Sequence, residues 1–274
     1  MLINTQFDYT EADFNAIASL AYNRVGISLH KNKKNLVYNR LISRVRANRL
    51  VNFAKYIQLL DDESHIEWEY FVNALTTNLT YFFREHYHFE LLKAHVHEYF
   101  AHSNVTDPVR IWCSACSTGE EAYSIAMAMV EAFGTSQPPV KILATDLNTH
   151  VLSIARKGYY TQDQLERVTE GQKHQFFIAH KHNNIYEIKP EIKALVHFKR
   201  LNLMDGEWPM KKNFDAIFCR NVMIYFDRKT QRSLLDKFAH YLPKGALLFL
   251  GHSESFSGHQ SQFILLRQTT YKRV

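Results

Sequence analysis

The stretch Ile111-Trp112-Cys113-Ser114-Ala115-Cys116-Ser117-Thr118-Gly119-Glu120-Glu121 decides the fold, because an apolar strand runs into a turn of small residues and then directly into a helix expected over residues 122–133. Small side chains let backbone N–H groups approach a ligand at the carboxyl end of a strand, where open α/β sheets place their binding crevice. A second strand, Val140-Lys141-Ile142-Leu143-Ala144-Thr145, follows and ends at Asp146. That carboxylate is placed to accept hydrogen bonds from ribose hydroxyls. Strand, small-residue turn, helix, strand and acid, in that order, describe a nucleoside-binding half-fold. Gly119 stands alone where a dinucleotide fold wants Gly-x-Gly-x-x-Gly, which sets a dehydrogenase aside.

Outward from this unit, strands near Val109, Val140, Val196, Phe214 and Ala246 alternate with helices, the pattern of an α/β, mostly parallel, doubly wound sheet. Phe263-Ile264-Leu265-Leu266 and Thr270-Tyr271-Lys272 are candidates for a closing antiparallel pair. Phe176-Phe177-Ile178 and Ile185-Tyr186-Glu187-Ile188 flank the turn-like His180-Lys181-His182-Asn183-Asn184, so a small β-insertion is expected at about 176–190. Toward the N-terminus, Thr10-Glu11-Ala12-Asp13 reads as a helix start and Gly26 as a stop. Further helices are expected over 32–48, 52–60 and 65–75. The expected organisation is a helical domain at 1–75, a linker at 76–84 and an α/β domain at 85–274.

The chain has 274 residues, 46% of them hydrophobic, which suits one large domain or two. No leader pattern opens the sequence and no apolar run approaches the roughly 20 residues that span a bilayer, so a cytoplasmic protein without membrane insertion is expected. Three cysteines are too few for a disulfide framework. Cys113 and Cys116 form a Cys-x-x-Cys, but no second pair follows at zinc spacing, so they read as packing residues. The histidines at 86, 88, 95, 97 and 102 scatter round one expected helix without an i, i+4 pair, and no metal site is expected.

The net charge of +6 is unevenly spread. Residues 14–60 hold nine lysines and arginines and no acid, which leaves the rest of the chain net negative. In the helix expected over 32–48, Lys33, Arg40 and Arg44 share one face at about 3.6 residues per turn, beside an apolar face of Tyr38, Leu41, Ile42 and Val45. One face packs and the other meets something acidic: nucleic acid, an anionic membrane or an acidic protein surface. A solvated face with no partner is the plain alternative, weakened by the long exclusion of acids.

Two further segments narrow the choice: Asn78-Leu79-Thr80-Tyr81-Phe82-Phe83-Arg84-Glu85 before the turn, and Phe214-Asp215-Ala216-Ile217-Phe218-Cys219-Arg220-Asn221-Val222-Met223-Ile224-Tyr225-Phe226-Asp227 after it. With the Ser-Thr-Gly-Glu-Glu turn between them, the chain closely resembles the CheR family of chemotaxis receptor methyltransferases. The resemblance runs over essentially the whole chain, to Gly251-His252-Ser253-Glu254. It implies transfer of a methyl group from S-adenosylmethionine to receptor glutamates, with S-adenosylhomocysteine as the second product. It also implies that the basic helix, with Lys33, Arg40 and Arg44, faces the receptor's glutamate-rich methylation helices. Cofactor contacts are implied for Asn78, Thr80, Arg84, Glu121, Asp146, Asn202, Leu203, Arg220 and Asn221, and Arg84 and Tyr225 are candidates for orienting the substrate carboxylate. The turn has Ala115 where the family often has Gly, and Ala122 where it often has Pro; neither change removes a polar contact.

The chemistry asks for no general base, since a carboxylate with a reference pKa of about 4.3 is already ionised at neutral pH. An RNA or amine methyltransferase would share the cofactor fold, but the chain lacks an Asn-Pro-Pro-Tyr type segment and a Pro-Cys dipeptide. A non-catalytic receptor-binding module is disfavoured by the presence of every implied cofactor position. Some members of the family dock a C-terminal receptor peptide on the β-insertion through a longer, glycine-containing loop. Residues 180–184 are short and contain no glycine, so independence from such a peptide is expected.

Overall fold

The computed structural model describes residues 7–101, 107–180, 184–211, 213–255 and 262–274. Its packing separates two compact units, Met1–Thr77 with Tyr225–Thr230, and Asn78–Ile224 with Gln231–Val274.

The first unit contains α1 (Glu11–Val25), α2 (Lys34–Ala47), α3 (Phe53–Leu59) and α4 (Glu67–Leu75). Thr10 caps α1 in a reciprocal box with Asp13, and Gly26 ends the helix in the left-handed region, φ 72°, as expected from the sequence. Phe14, Ile17, Ala21 and Val25 form its buried stripe. A 3-10 turn at Lys31–Lys33 leads into α2. The face of α2 turns slightly from the expected one. Val37, Leu41 and Val45, at i, i+4 and i+8, are buried, while Tyr38 and Ile42 are only half-buried.

The second unit follows with α5 (Tyr87–Ala101), β1 (Val109–Cys113), α6 (Glu120–Phe133), β2 (Val140–Asp146), α7 (Thr149–Lys157) and β3 (Tyr159–Thr161). Next come α8 (Glu170–Phe176), β4 (Phe177–His180), β5 (Ile185–Ile188), α9 (Pro190–Lys193), β6 (Val196–Arg200) and β7 (Ala216–Cys219). The chain continues through α10 (Arg228–Tyr241), β8 (Leu247–Leu250), β9 (Phe263–Arg267) and β10 (Thr270–Arg273).

Seven strands form one sheet in the order β6-β2-β1-β7-β8-β10-β9. The first five are parallel, and β10 runs antiparallel to both of its neighbours, forming the closing pair the sequence suggested. The chain leaves β1 toward β2 on one side and returns to pair β7 on the other. The switch point, where ligands of open α/β sheets bind, therefore lies outside the carboxyl ends of β1 and β7. β7 and β8 are buried at every residue, and α6 buries both charged and apolar faces along most of its length, so the cradle rests on the most withdrawn part of the core. Phe218 and Phe249 stack at 4.3 Å across these strands. Each such fully buried ring contributes about 1.5–3 kcal/mol of burial energy.

The β-insertion is larger than the 176–190 expected. Tyr159–Thr161 joins it as β3, giving a three-stranded antiparallel sheet in the order β3-β5-β4. Three residues are too few to show a period of two in the sequence, and the central β5 needs a partner on each side. The hairpin tip on which the loop expectation rests, residues 181–183, lies outside the described residues, as does His102.

Candidate functional site

The turn after β1 is built by backbone geometry. Ser117 sits at φ 48° and Gly119 at φ 99°, the second in a region that favours glycine. A Cβ on Gly119 would stand 2.9 Å from both Ala155 Cβ and the Tyr160 hydroxyl, so α7 and β3 press against the turn. The Tyr160 hydroxyl donates to Thr118 O at 2.8 Å and Cys116 N–H to Thr145 O at 2.9 Å, pinning the turn between β2 and β3.

Asp146, at the end of β2, accepts from Ser117 N–H at 2.8 Å through one oxygen and from Asn148 N–H at 2.9 Å through the other. Burial pushes its carboxyl above the ordinary range, against the pull of these amide donors. The helix cap that could have been its whole role belongs to Asn148, whose side chain accepts from Val151 N–H. At the end of β6, the Asn202 side chain accepts from Met204 N–H at 3.0 Å and Leu203 is buried.

Between α6 and β7 lies a charged cluster. Arg220, with a fully buried side chain, approaches Glu121 at 3.0 Å and Glu85 at 3.3 Å, and donates to the Arg84 carbonyl. Glu121 also accepts from the Cys113 thiol at 3.2 Å. Burial raises the Glu121 carboxyl, opposed by Arg220. Burial would raise Glu85 too, but Arg220, the His252 contacts and His88 together hold it below the usual range. His88 is held down to about 4 by burial and by Arg220, so it stays neutral, with Nε2 2.9 Å from Gln268 O. Arg220 Nε is buried without a hydrogen-bond partner among the described residues, an unmet donor suited to a ligand oxygen.

Asn78 and Thr80 are half-buried, and Asn78 O accepts from the Ser117 hydroxyl at 3.1 Å, which brings the segment before α5 onto the turn. Arg84 donates from Nη1 to Leu79 O at 2.9 Å and lies between Phe83 and Glu85, both at positive φ. Asn221, at φ 58°, donates its N–H to Glu254. Tyr225 falls in the first compact unit, where its carbonyl accepts from Ser28 N–H.

Two of the cofactor positions read from the sequence are carboxylates with different tasks in the fold: Asp146 anchors a backbone turn, and Glu121 pairs with a buried guanidinium. Amide donors, carboxylates and an unmet buried donor converge at the carboxyl ends of β1, β2, β6 and β7, a donor set that fits a nucleoside cofactor. Residues 78–272 match the family model "CheR methyltransferase, SAM binding domain", and residues 12–76 match "CheR methyltransferase, all-alpha domain". The chain belongs to the CheR methyltransferase family. It is a methyltransferase that uses S-adenosylmethionine. This CheR family member is 45% identical to "Chemotaxis protein methyltransferase 2" of Pseudomonas aeruginosa over 98% of this chain and 95% of that one. It is 42% identical to the "Chemotaxis protein methyltransferase" of Escherichia coli over 96% and 91%, and 36% identical to that of Borreliella burgdorferi over 98% and 97%.

The structure brings forward residues the sequence reading passed over. Glu254, buried, accepts from Gly251 N–H at 2.7 Å, Asn221 N–H at 2.8 Å and Ile224 N–H at 3.2 Å, fixing the loop after β7. Gly251 is tight against it: a Cβ there would collide with Asn221 Nδ2 and lie 2.8 Å from Glu254 Oε2. Glu85 joins Arg220 to the His252 backbone, which donates at 3.2 Å. Both acids stood inside quoted motifs, but only three-dimensional neighbours reveal which amides they hold.

The basic helix is less free than its sequence suggests. Arg44 clasps Glu67 with two bonds, Nε to Oε1 at 2.9 Å and Nη2 to Oε2 at 2.7 Å, and Tyr56 donates to the same carboxylate at 2.8 Å. Arg40 donates to Leu75 O and to the Thr77 hydroxyl. Lys33 remains exposed, as does Arg46. No helix among the described residues is long and apolar enough to cross a membrane.

Proposed function

We propose that this protein methylates glutamate side-chain carboxylates of chemotaxis receptors in the cytoplasm, producing glutamyl methyl esters and S-adenosylhomocysteine. The observation that carries the reading is the convergence of Glu121, Asp146, Asn202, Arg220 and Asn221 at the strand ends beside the switch point, in a chain of this family. When bound, S-adenosylmethionine supplies an electrophilic methyl on a positively charged sulfur; the carbon–oxygen bond forms as the carbon–sulfur bond breaks, and the electron pair stays on sulfur.

The chain's own residues then have limited tasks. Asp146 receives the ribose hydroxyls, Asn202 and Leu203 border the adenine, and Asn78, Thr80 and the unmet Arg220 Nε address the methionyl end. Arg220 offsets part of the negative charge that Glu121 and Glu85 place beside the sulfonium. Arg84 orients the substrate carboxylate, and Tyr225 is the second candidate for that task that the family resemblance gives. Arg84 is already bonded to Leu79 O through one nitrogen, which leaves its fork able to hold one carboxylate oxygen while the other attacks. No residue has to remove a proton.

Receptor docking falls to Lys33, at the end of the 3-10 turn before α2, and to the half-buried Arg40 within α2, which meet an acidic methylation helix. Arg44 serves the fold of the unit through Glu67. An acidic protein segment, not nucleic acid, is the partner in this reading, supported by the family to which the chain belongs. A C-terminal receptor peptide is not required, supported by the short, glycine-free loop at residues 180–184. Incubation with methyl-labelled S-adenosylmethionine and receptor-bearing membranes from an Escherichia coli strain lacking its own methyltransferase tests the reading. Label on receptor glutamates that mild base releases as methanol is expected; base-stable label sinks the ester assignment. Equal labelling of tail-deleted receptors is expected as well, and a large loss on tail deletion overturns the peptide claim.

A further inference from the structure

Beside Arg84 the second unit carries another cation that the reaction as described does not use. Arg167 lies between β3 and α8, is exposed, and has no carboxylate within ion-pair range among the described residues. Its guanidinium carbon stands 4.3 Å from the centroid of the Tyr81 ring. Arg84 approaches the same ring at 5.5 Å. Two guanidinium groups therefore share one tyrosine, no farther apart than those two distances laid end to end.

A tyrosine ring attracts a cation at its face, which holds two like charges in one neighbourhood where their mutual repulsion would otherwise spread them. The nearest acid in sequence, Glu166, is exposed and outside ion-pair range, and Glu170 is taken by Lys173 at 2.6 Å. Arg84 lies within the field of the Glu121 carboxylate, whereas Arg167 has no ion-pair partner among the described residues. Lys93, by contrast, is matched with Glu90 and Glu131, and Lys193 with Glu187.

We propose that Arg167 is a specificity-determining residue that binds a second carboxylate of the substrate while Arg84 holds the one being methylated. The proposal rests on the methyl-transfer reading given above. The partner it selects is an acidic segment whose carboxylates repeat at short spacing, such as successive turns of a helix, where i and i+4 side chains stand about 5–6 Å apart at their Cβ atoms. An isolated glutamate would satisfy Arg84 alone. Arg167 does not touch the reacting atoms, so it acts on substrate binding and not on turnover.

The test uses the full-length protein with the same receptor membranes, comparing Arg167→Lys, Arg167→Gln and Arg167→Glu with the parent. Because the interaction is exposed, removing the charge should raise KM for receptor about threefold and reversing it about tenfold, with kcat unchanged. The difference should shrink as added salt shortens the Debye length from about 10 Å at 0.1 M toward about 3 Å at 1 M. Arg167→Lys should stay near the parent, and affinity for S-adenosylhomocysteine should be the same for all four proteins, which also reports folding. On receptors whose glutamates neighbouring the acceptor are changed to glutamine, the parent should lose its advantage over Arg167→Gln. An unchanged KM in Arg167→Glu, or equal effects of Gln and Glu, overturns the proposal, since a side chain that merely packed on Tyr81 would not distinguish charge. Failure of the parent to form base-labile label removes the methyl-transfer reading and this proposal together; label from the parent with an unchanged Arg167→Glu removes this one alone.

Discussion

Replacing Arg44 by alanine should cost the first unit about 3 kcal/mol at pH 7, far more than a surface arginine is worth. The side chain of Glu67 is only 2% exposed and that of Arg44 23%, so deletion strands a carboxylate that water cannot easily reach. Removing one partner of a buried pair costs about 3–5 kcal/mol. The partial exposure of Arg44 and the surviving Tyr56 bond place the value at the low end. Burial alone would raise the Glu67 carboxyl, and Arg44, Asn48 and Tyr56 reverse that to hold it below its usual range. A lowered folded-state pKa contributes stability above the unfolded value, lost as pH falls through the folded one. The penalty of Arg44→Ala should therefore be full at pH 7 and shrink below the ordinary glutamate range. Hydrogen exchange of α2 and α4 amides in the full-length protein measures it, with Lys33→Ala as a control expected within about 0.5 kcal/mol of the parent. A loss under about 1 kcal/mol for Arg44→Ala would refute the reasoning and return this arginine to the receptor-facing set.

Asp146→Ala should weaken S-adenosylhomocysteine binding by about 1.5–3 kcal/mol in calorimetry, the worth of hydrogen bonds to a charged group; parental affinity would remove Asp146 from the site. Gly119→Ala should lower the melting temperature and abolish cofactor binding, since left-handed backbone costs a non-glycine residue about 1–2 kcal/mol and the new Cβ meets α7 and Tyr160 at 2.9 Å. Glu120 is buried and its carboxyl raised by burial, against bonds from Thr118 and Gln164. Its stability contribution is present below the unfolded pKa and lost as pH rises through the raised folded value, so Glu120→Gln should gain stability relative to the parent as pH rises above the ordinary glutamate range. A difference independent of pH would show that Glu120 does not titrate there.

The sheet was legible in the sequence because each parallel strand is a short apolar run with a small-residue or acidic terminus, and the helices between them repeat at helical spacing. The start of α6 was placed two residues late. Glu120 and Glu121 read as turn residues, whereas the left-handed Gly119 lets the helix begin directly after it, with both acids in the first turn where the helix dipole favours them. β3 was missed because Tyr159–Thr161 has strand character only once β5 lies beside it. For the site, residue types at strand ends were readable, but their division of labour was not. Glu121 and Arg220 look alike as polar residues in motifs, and only their 3.0 Å approach shows that each serves the other. The one-sided charge of residues 14–60 was likewise visible, while the use of Arg44 and Arg40 on internal acceptors depends on α4 and the segment after it.

Glu254 gives the cradle a property of time as well as of space. It follows β8, the last of the parallel strands, yet it carries the acceptors for the amides of Asn221 and Ile224, more than two dozen residues earlier. A nascent chain that has emerged only as far as β8 already holds the Gly119 turn, Asp146 and Arg220, but the loop after β7 has nothing to close it. Cofactor affinity should consequently arise late in synthesis, and fragments ending before Glu254 should compete poorly for S-adenosylmethionine.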